Sequence, residues 1–312
     1  MLNTLKALAD TSRLRLVAVL SHGEFTVQEL TSILVMGQSR ISRHLKILTR
    51  IGILSVKRQG TWGYYRLAGS NSFFREIWPA LERRLDTLAG RQADLDGLAR
   101  IFEARRRKSQ EFFDYCAPQW DVLARKILPV AEYLDFLIEE IPACDVVLEV
   151  GVGTGSLLAG LSRKASRMVA VDHSPAMIEE ARARIGLQGL TGVELRLGEM
   201  SHLPLSNGEA QFAVLNMVLH HAAQPAGVLK EMFRVLRPSG GLVIADLQRH
   251  EKEWVRDRMA DLWLGFERRE IEGWLQAAGF VINRFRTVEG AAGEQEVFIL
   301  TAGKGGQAAE VT

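Results

Sequence analysis

The sequence predicts two folds in one chain. An α+β helix–turn–helix domain with a β-hairpin opens it, and an α/β domain with a mostly parallel sheet closes it. A helical stretch joins them. Three observations carry this. Residues 38–46 put polar and basic side chains opposite Ile41 and Leu45. From residue 145, short apolar runs alternate with helical patterns, the signature of a parallel sheet covered on both faces. The charge is also uneven. Residues 1–70 hold ten Lys/Arg against Asp10, Glu24 and Glu29, a net of +7, whereas the whole chain of 312 residues is only +2, so the rest is −5. A basic first domain on an acidic body points to a polyanion as partner of that domain alone.

Residues 3–20 read as one amphipathic helix, with Leu5, Leu8, Leu14, Val17 and Leu20 near helical spacing. A second helix covers Val27 to Leu34, with Thr26 as N-cap. Val35-Met36-Gly37 makes a tight connection to a third, Gln38 to Arg50, which turns Ile41, Leu45 and Leu48 inward and ends at Gly52. Leu54 to Arg58 and Tyr64 to Leu67 then read as two strands around a glycine-bearing turn. A helix–turn–helix followed by such a hairpin is a winged helix, placed at 1–70.

Residues 71–144 read as a helical dimerisation or linker region with a lid. Trp78, Leu81, Leu85, Leu88, Gln92, Leu95, Ala99 and Phe102 recur at alternating spacings of three and four, an a/d seam with one polar a position. The seam serves either a dimer helix or a helix packed on its own domain. Phe112-Phe113-Asp114-Tyr115 and Trp120-Asp121 are candidates for a lid over a ligand, or for a packed helix. From 145 to 302 strands are expected at 146–150, 168–171, 193–197, 212–216 and 241–246. A final hairpin over 281–286 and 295–301 makes one strand antiparallel. Residues 303–312 are small and polar and are expected to form a disordered tail.

With 47% hydrophobic and 24% charged residues the chain has the composition of a soluble globular protein. It has no stretch of the roughly 18 apolar residues needed to span a bilayer and no signal-peptide pattern, so a cytoplasmic location without membrane association is expected. Two cysteines, Cys116 and Cys144, can form neither a disulfide framework nor a four-thiolate metal site.

The helix from Gln38 offers Gln38, Ser39, Arg40, Ser42, Arg43, His44 and Lys46 to a major groove, while Lys57 and Arg58, with Arg66, flank the wing tip. Arg43 suits a bidentate pair with guanine. The strings Leu5 to Asp10, Thr11 to Arg15, Gln38 to Leu45 and Tyr64 to Leu67 resemble the ArsR family of winged-helix repressors. The resemblance covers 1–70. It implies a homodimer on a palindromic double-stranded DNA operator. Many members sense metals through cysteines before the recognition helix or through histidine–carboxylate clusters on the dimer helix. Here Val27 to Leu34 has no Cys and 72–145 has no His, so no metal is expected.

Residues 147–155 read VLEVGVGTG and residues 169–172 read VAVD. Gly151, Gly153 and Gly155 let the backbone turn sharply and approach a ligand. Asp172, 17 positions after Gly155, can accept from both ribose hydroxyls. The spacing is GxGxG after Glu149, rather than the GxGxxG that seats a pyrophosphate. It suits a nucleoside ligand without phosphate and with an ammonium group. Glu199 and Met200 end the third strand of this domain and Asn216 the fourth. Together these resemble class I S-adenosylmethionine-dependent methyltransferases with a Rossmann-like fold. The resemblance implies S-adenosylmethionine or S-adenosylhomocysteine as ligand. Candidate contacts are Glu149, Gly151, Gly153, Gly155, Asp172, His173, Met177, Glu199, Met200 and Asn216.

Methyl transfer to an acceptor of high pKa needs a base, and His220 and His221 past the fourth strand are the candidates. Arsenite methylation would need several thiolates, and only two cysteines exist. The fusion resembles a bacterial group of regulators whose methyltransferase-like domain binds S-adenosylhomocysteine or S-adenosylmethionine and sets DNA affinity. The expected function is such a dimeric transcriptional regulator. The alternative is an active small-molecule methyltransferase with an autoregulatory DNA-binding domain.

Overall fold

The computed structural model describes residues 1–127, 130–288 and 296–305. They form two compact units, Met1–Arg105 and Arg106–Thr312. The first unit contains α1 (Leu2–Leu8), α2 (Thr11–Leu20), α3 (Val27–Leu34), α4 (Gln38–Arg50), the hairpin β1 (Leu54–Gln59) and β2 (Trp62–Leu67), and α5 (Ser72–Leu85). Helix α6 (Arg91–Cys116) begins in this unit and continues into the second.

The expected helix over 3–20 is two helices. Asp10 is extended (φ −153°) and its carboxylate caps α2 by accepting from the Arg13 amide at 3.0 Å. Arg13 turns back to the carbonyls of Ala7 and Lys6 at the end of α1. An N-cap side chain contributes about 1 kcal/mol. Asp10→Ala is therefore expected to lower the stability of this unit by about that amount in urea unfolding, with Asp10→Ser close to wild type. A capping box closes α3, with Thr26 and Glu29 satisfying each other's amides. Val35 then takes a left-handed conformation (φ 51°) and turns the chain into α4.

The apolar faces of these helices meet in one core of Leu16, Val17, Phe25, Leu30, Ile33, Ile41, Leu45, Leu48 and Ile53, all but fully buried. Each such side chain contributes roughly 1.5–3 kcal/mol of burial. The predicted a/d seam does not run along one helix. It breaks at residues 86–90, where Gly90 has φ +83°. Trp78, Leu81, Leu95 and Phe102 pack on the winged-helix core instead. Arg15 pairs with Asp94, which is 1% exposed, and Arg105 pairs with Glu29 at 2.7 Å, so α6 is tied to α2 and α3 by charge as well as by packing.

The second unit adds α7 (Trp120–Ile127), α8 (Val130–Glu139), β3 (Cys144–Val150), α9 (Leu158–Ser162), β4 (Ala165–Asp172), α10 (Pro175–Gln188), β5 (Val193–Leu197), β6 (Ala210–Asn216), α11 (Pro225–Val235), β7 (Leu236–Leu247), α12 (Trp254–Arg258), α13 (Arg268–Ala278), β8 (Phe280–Val288) and β9 (Val297–Lys304). The sheet has seven strands in the order β5-β4-β3-β6-β7-β9-β8, and β9 alone runs against the others. Residues 146–150 of β3 are all buried, as a central strand covered on both faces must be. The chain lays β4 and β5 on one side of β3, then returns to lay β6 and β7 on the other. The crevice beyond the carboxyl ends of β3 and β6 is the switch point where such sheets bind ligands. Gly303 and Lys304, expected in the tail, belong to β9 because they pair with Gly241 and with residues of β8. The rest of the tail call, 306–312, lies outside the described residues.

Candidate functional site

In the first unit, α4 exposes Gln38, Ser39, Arg40, Ser42, Arg43 and Lys46 on one face. Arg40 is steadied by a hydrogen bond to Ser12 Oγ at 2.8 Å. His44 corrects the sequence reading. It is 8% exposed, because positions 41, 44, 45 and 48 share the inward face of one helix. Burial lowers its pKa, only partly opposed by Asp10, and its Nδ1 has no partner. Lys57 is also buried, while Arg58 is exposed, since neighbouring residues of a strand point to opposite faces. Arg66 pairs with Glu24 at 3.0 Å.

In the second unit, a cavity of about 290 Å³ opens at the switch point of the sheet. Glu149, Gly151, Gly153, Asp172, His173, Met177, Met200, Asn216 and His221 line it, as the sequence placed them. Gly155, Glu199 and His220 do not. Gly155 (φ +85°) is packed against Leu158, where a Cβ would stand 2.5 Å from the side chain. Glu199 is held in the turn after β5 by a backbone bridge to His202.

Gly151 follows β3 with φ +75°, and a Cβ there would come within 2.5 Å of Val218. The loop is fastened by Asp172, whose two oxygens accept the amides of Gly153 (2.8 Å) and Ser174 (2.9 Å). Around this loop three buried polar atoms have no partner: Glu149 Oε2, His173 Nε2 and Asn216 Oδ1. Such atoms are rare in folded chains and each costs about 1–3 kcal/mol. Burial, with Asp172 nearby, raises the Glu149 pKa well above its usual range. Burial opposes the proton on His173, but the hydrogen bond to Asp172 prevails and raises its pKa.

Sequence reading missed Tyr133, Arg184 and Val218 on the cavity wall. Tyr133 is buried on this wall, and burial pushes its phenol pKa above the usual range. The lid candidates divide. Phe113, Trp120 and Asp121 line the cavity, Asp114 accepts from Ser174 Oγ at 2.5 Å, and Tyr115 is 86% exposed. Asp121 bonds both Thr154 Oγ1 and Arg184, so the start of α7 is tied to the glycine loop and to α10.

Residues 10–56 match the family described as bacterial regulatory protein, arsR family, and residues 148–244 match a methyltransferase domain. The chain joins an ArsR-family helix–turn–helix domain to a methyltransferase domain. The arsenic resistance transcriptional regulator ArsR1 of Pseudomonas putida is 48% identical over 63 residues, 20% of this chain and 49% of that protein. The arsenite methyltransferase of Halobacterium salinarum is 33% identical over 106 residues, 33% of this chain and 27% of that protein. The chain thus spans about a quarter to a half of the length of these curated relatives. The crystal structure of a SAM-dependent methyltransferase from Aquifex aeolicus superposes with a TM-score of 0.50 at 23% identity, covering 61% of this chain and 98% of that one. The class I methyltransferase fold of the second unit is shared with it.

The two histidines of the methyltransferase domain occupy different environments. His220 is 3% exposed and bonds Asp246 Oδ1 through Nδ1 at 2.7 Å. Burial would lower its pKa, but the Asp246 and Asp261 carboxylates outweigh it and raise the value to about 9. His220 is therefore a buried ion-pair partner that does not line the cavity, which corrects its reading as a base. His221 lines the cavity, packed edge-on to Phe113 at 4.8 Å, and burial beside His220 drives its pKa well below the usual range. Neither Cys116 nor Cys144 is among the lining residues. Among the described residues no helix is long and apolar enough to cross a membrane.

Proposed function

We propose that this chain is a transcriptional regulator that acts as a homodimer on a palindromic operator, and that its methyltransferase domain binds S-adenosylhomocysteine or S-adenosylmethionine as effector. The observation that carries the ligand is the set of unpartnered atoms, Glu149 Oε2, His173 Nε2 and Asn216 Oδ1, gathered around the glycine loop. These nucleosides bring an amine, an ammonium and hydroxyls to such atoms. Asp172 retains lone pairs for the ribose, and Met177 and Met200 supply apolar surface beside it. The ArsR-family domain on the same chain makes ligand occupancy a signal. A ligand shifts DNA affinity only as far as it distinguishes two conformations of the protein.

Isothermal titration calorimetry of the full chain with each nucleoside tests the binding. One site per chain is expected, and no heat with either ligand would overturn the proposal. On the DNA side, Arg43→Ala is expected to weaken operator binding about tenfold or more and relax one base position. Lys46→Ala is expected to weaken all sequences alike and reduce the salt slope by about one. Fluorescence anisotropy at several salt concentrations separates the two.

The enzymatic reading draws on His221, a neutral imidazole at the cavity wall. Acceptor-dependent formation of S-adenosylhomocysteine would favour it. The absence of cysteines from the cavity lining argues against a thiol-bound arsenite acceptor.

A further inference from the structure

Three buried side chains converge beside the cavity without hydrogen bonding to one another. His220 and His221 stand on the 3-10 turn Leu219–His221 after β6, and Asp261 lies in the segment after α12. Nε2 of His220 is 3.7 Å from Asp261 Oδ1, and Nδ1 of His221 is 3.8 Å from the same oxygen. These separations are too long for hydrogen bonds. All three ligand atoms lie within 4.8 Å of one another.

We propose that His220 Nε2, His221 Nδ1 and Asp261 Oδ1 hold one divalent first-row transition cation, with Zn²⁺ the best fit. Ligands at about 2.0–2.1 Å around a tetrahedral ion stand about 3.3 Å apart, so the two histidine–aspartate separations close by about 0.5 Å and the histidine–histidine separation, within 4.8 Å, by up to about 1.5 Å. Two imidazoles and one carboxylate suit zinc, whereas calcium and magnesium prefer oxygen alone. Three protein ligands leave a fourth position open.

The surroundings support the assignment. A metal-bound imidazole almost always has its other nitrogen held by a carboxylate or carbonyl. Asp246 supplies this for His220, at 2.7 Å to Nδ1. Asp246 is itself fixed by the amides of Leu219 (2.9 Å) and Leu247 (2.7 Å) and is 0% exposed. This directs the Nε2 lone pair of His220 towards Asp261. Phe113 packs edge-on to the ring of His221, whose Nδ1 also stands 3.4 Å from the Ala260 carbonyl oxygen, so ion binding there would replace that long contact. Ala260 adopts φ 55°, an uncommon conformation for a residue with a Cβ, next to Asp261. Two carboxylates, Asp246 and Asp261, are buried around these imidazoles.

The site is not the one that many ArsR-family sensors use. It lies in the second unit, and Asp261 comes 40 residues after the adjacent pair His220 and His221. Because His221 also lines the cavity, an ion here would fix that part of the wall.

The test uses the full chain, stripped with chelator, then given zinc alone. One Zn²⁺ per chain should remain after gel filtration. His221→Ala and Asp261→Asn should lose it, and Asp246→Asn should weaken it about 10–100-fold. Zinc stoichiometry unchanged in His221→Ala and Asp261→Asn would overturn the proposal, as would a wild-type chain that retains no zinc. Cobalt loading of the wild-type chain needs no variant. Intense visible bands of a four-coordinate nitrogen–oxygen site are expected. A spectrum like that of aqueous cobalt, or thiolate charge-transfer bands placing the ion on Cys116 or Cys144, would contradict it.

Discussion

Asp172→Ala is expected to weaken binding of S-adenosylhomocysteine at least 100-fold and to silence the regulator's response to it. Two losses add. Asp172 accepts the amides of Gly153 and Ser174, and its removal leaves the half-buried donor of the glycine loop and the buried donor at the start of α10 without a partner. Each such donor costs about 1–3 kcal/mol. In the proposed complex the ribose hydroxyls also lose a charged acceptor, worth about 1.5–3 kcal/mol. Together these are on the order of 4–9 kcal/mol, and about 3 kcal/mol of it falling on the ligand-bound form suffices for a 100-fold loss, since each 1.4 kcal/mol is tenfold in affinity. Asp172→Asn keeps the size and loses the charge, so it should fall between alanine and wild type. Calorimetry of a variant whose circular dichroism matches wild type checks this. Affinity within threefold of wild type would remove Asp172 from the site.

The second large effect lies in the ArsR-family domain. Gly97 sits inside α6, where glycine costs about 1 kcal/mol relative to alanine. Its neighbour explains it. A Cβ at Gly97 would lie 2.8 Å from the carbonyl oxygen and 2.9 Å from the Cα of Ile33 on α3. Backbone cannot swing aside as a side chain can, so α6 must lift from α3. Leu98 and the Arg15–Asp94 pair lie beside this contact. Gly97→Ala is expected to destabilise the domain by about 1–3 kcal/mol and Gly97→Val by more. Chemical unfolding followed by operator binding measures it. Ligand binding by the methyltransferase domain should survive in both. A stabilised Gly97→Ala would show that the two helices are further apart than described.

Much of this was legible in the sequence because the signals were local. The run from Val147 to Gly155 and the aspartate at 172 mark a strand, a turn and a second strand end, and the structure brings Glu149, Gly151, Gly153 and Asp172 to one cavity. The recognition helix was equally legible, from polar residues placed opposite Ile41 and Leu45. What escaped depended on geometry between segments, or on a face miscounted within one. His44 carries a polar side chain, but its position three residues after Ile41 puts it inward. Lys57 and Arg58 were read as a pair, although strand alternation separates them. The a/d seam was periodic enough for one helix, yet a break at 86–90 divides it between α5 and α6. Asp10 capped a helix start inside what looked like a single amphipathic run. His220 was singled out for its neighbourhood in sequence. Its role follows from Asp246 and Asp261, which only the fold places beside it.

The central claim is that occupancy of the methyltransferase domain sets the DNA affinity of the ArsR-family domain. Operator binding by the full chain, titrated separately with S-adenosylhomocysteine and S-adenosylmethionine, measures that coupling directly. At saturation at least one ligand should change the operator Kd by about fivefold or more, a coupling of about 1 kcal/mol, and Asp172→Ala should abolish the change. If both ligands bind by calorimetry and neither alters the operator Kd, the account of this protein as a ligand-responsive regulator is contradicted.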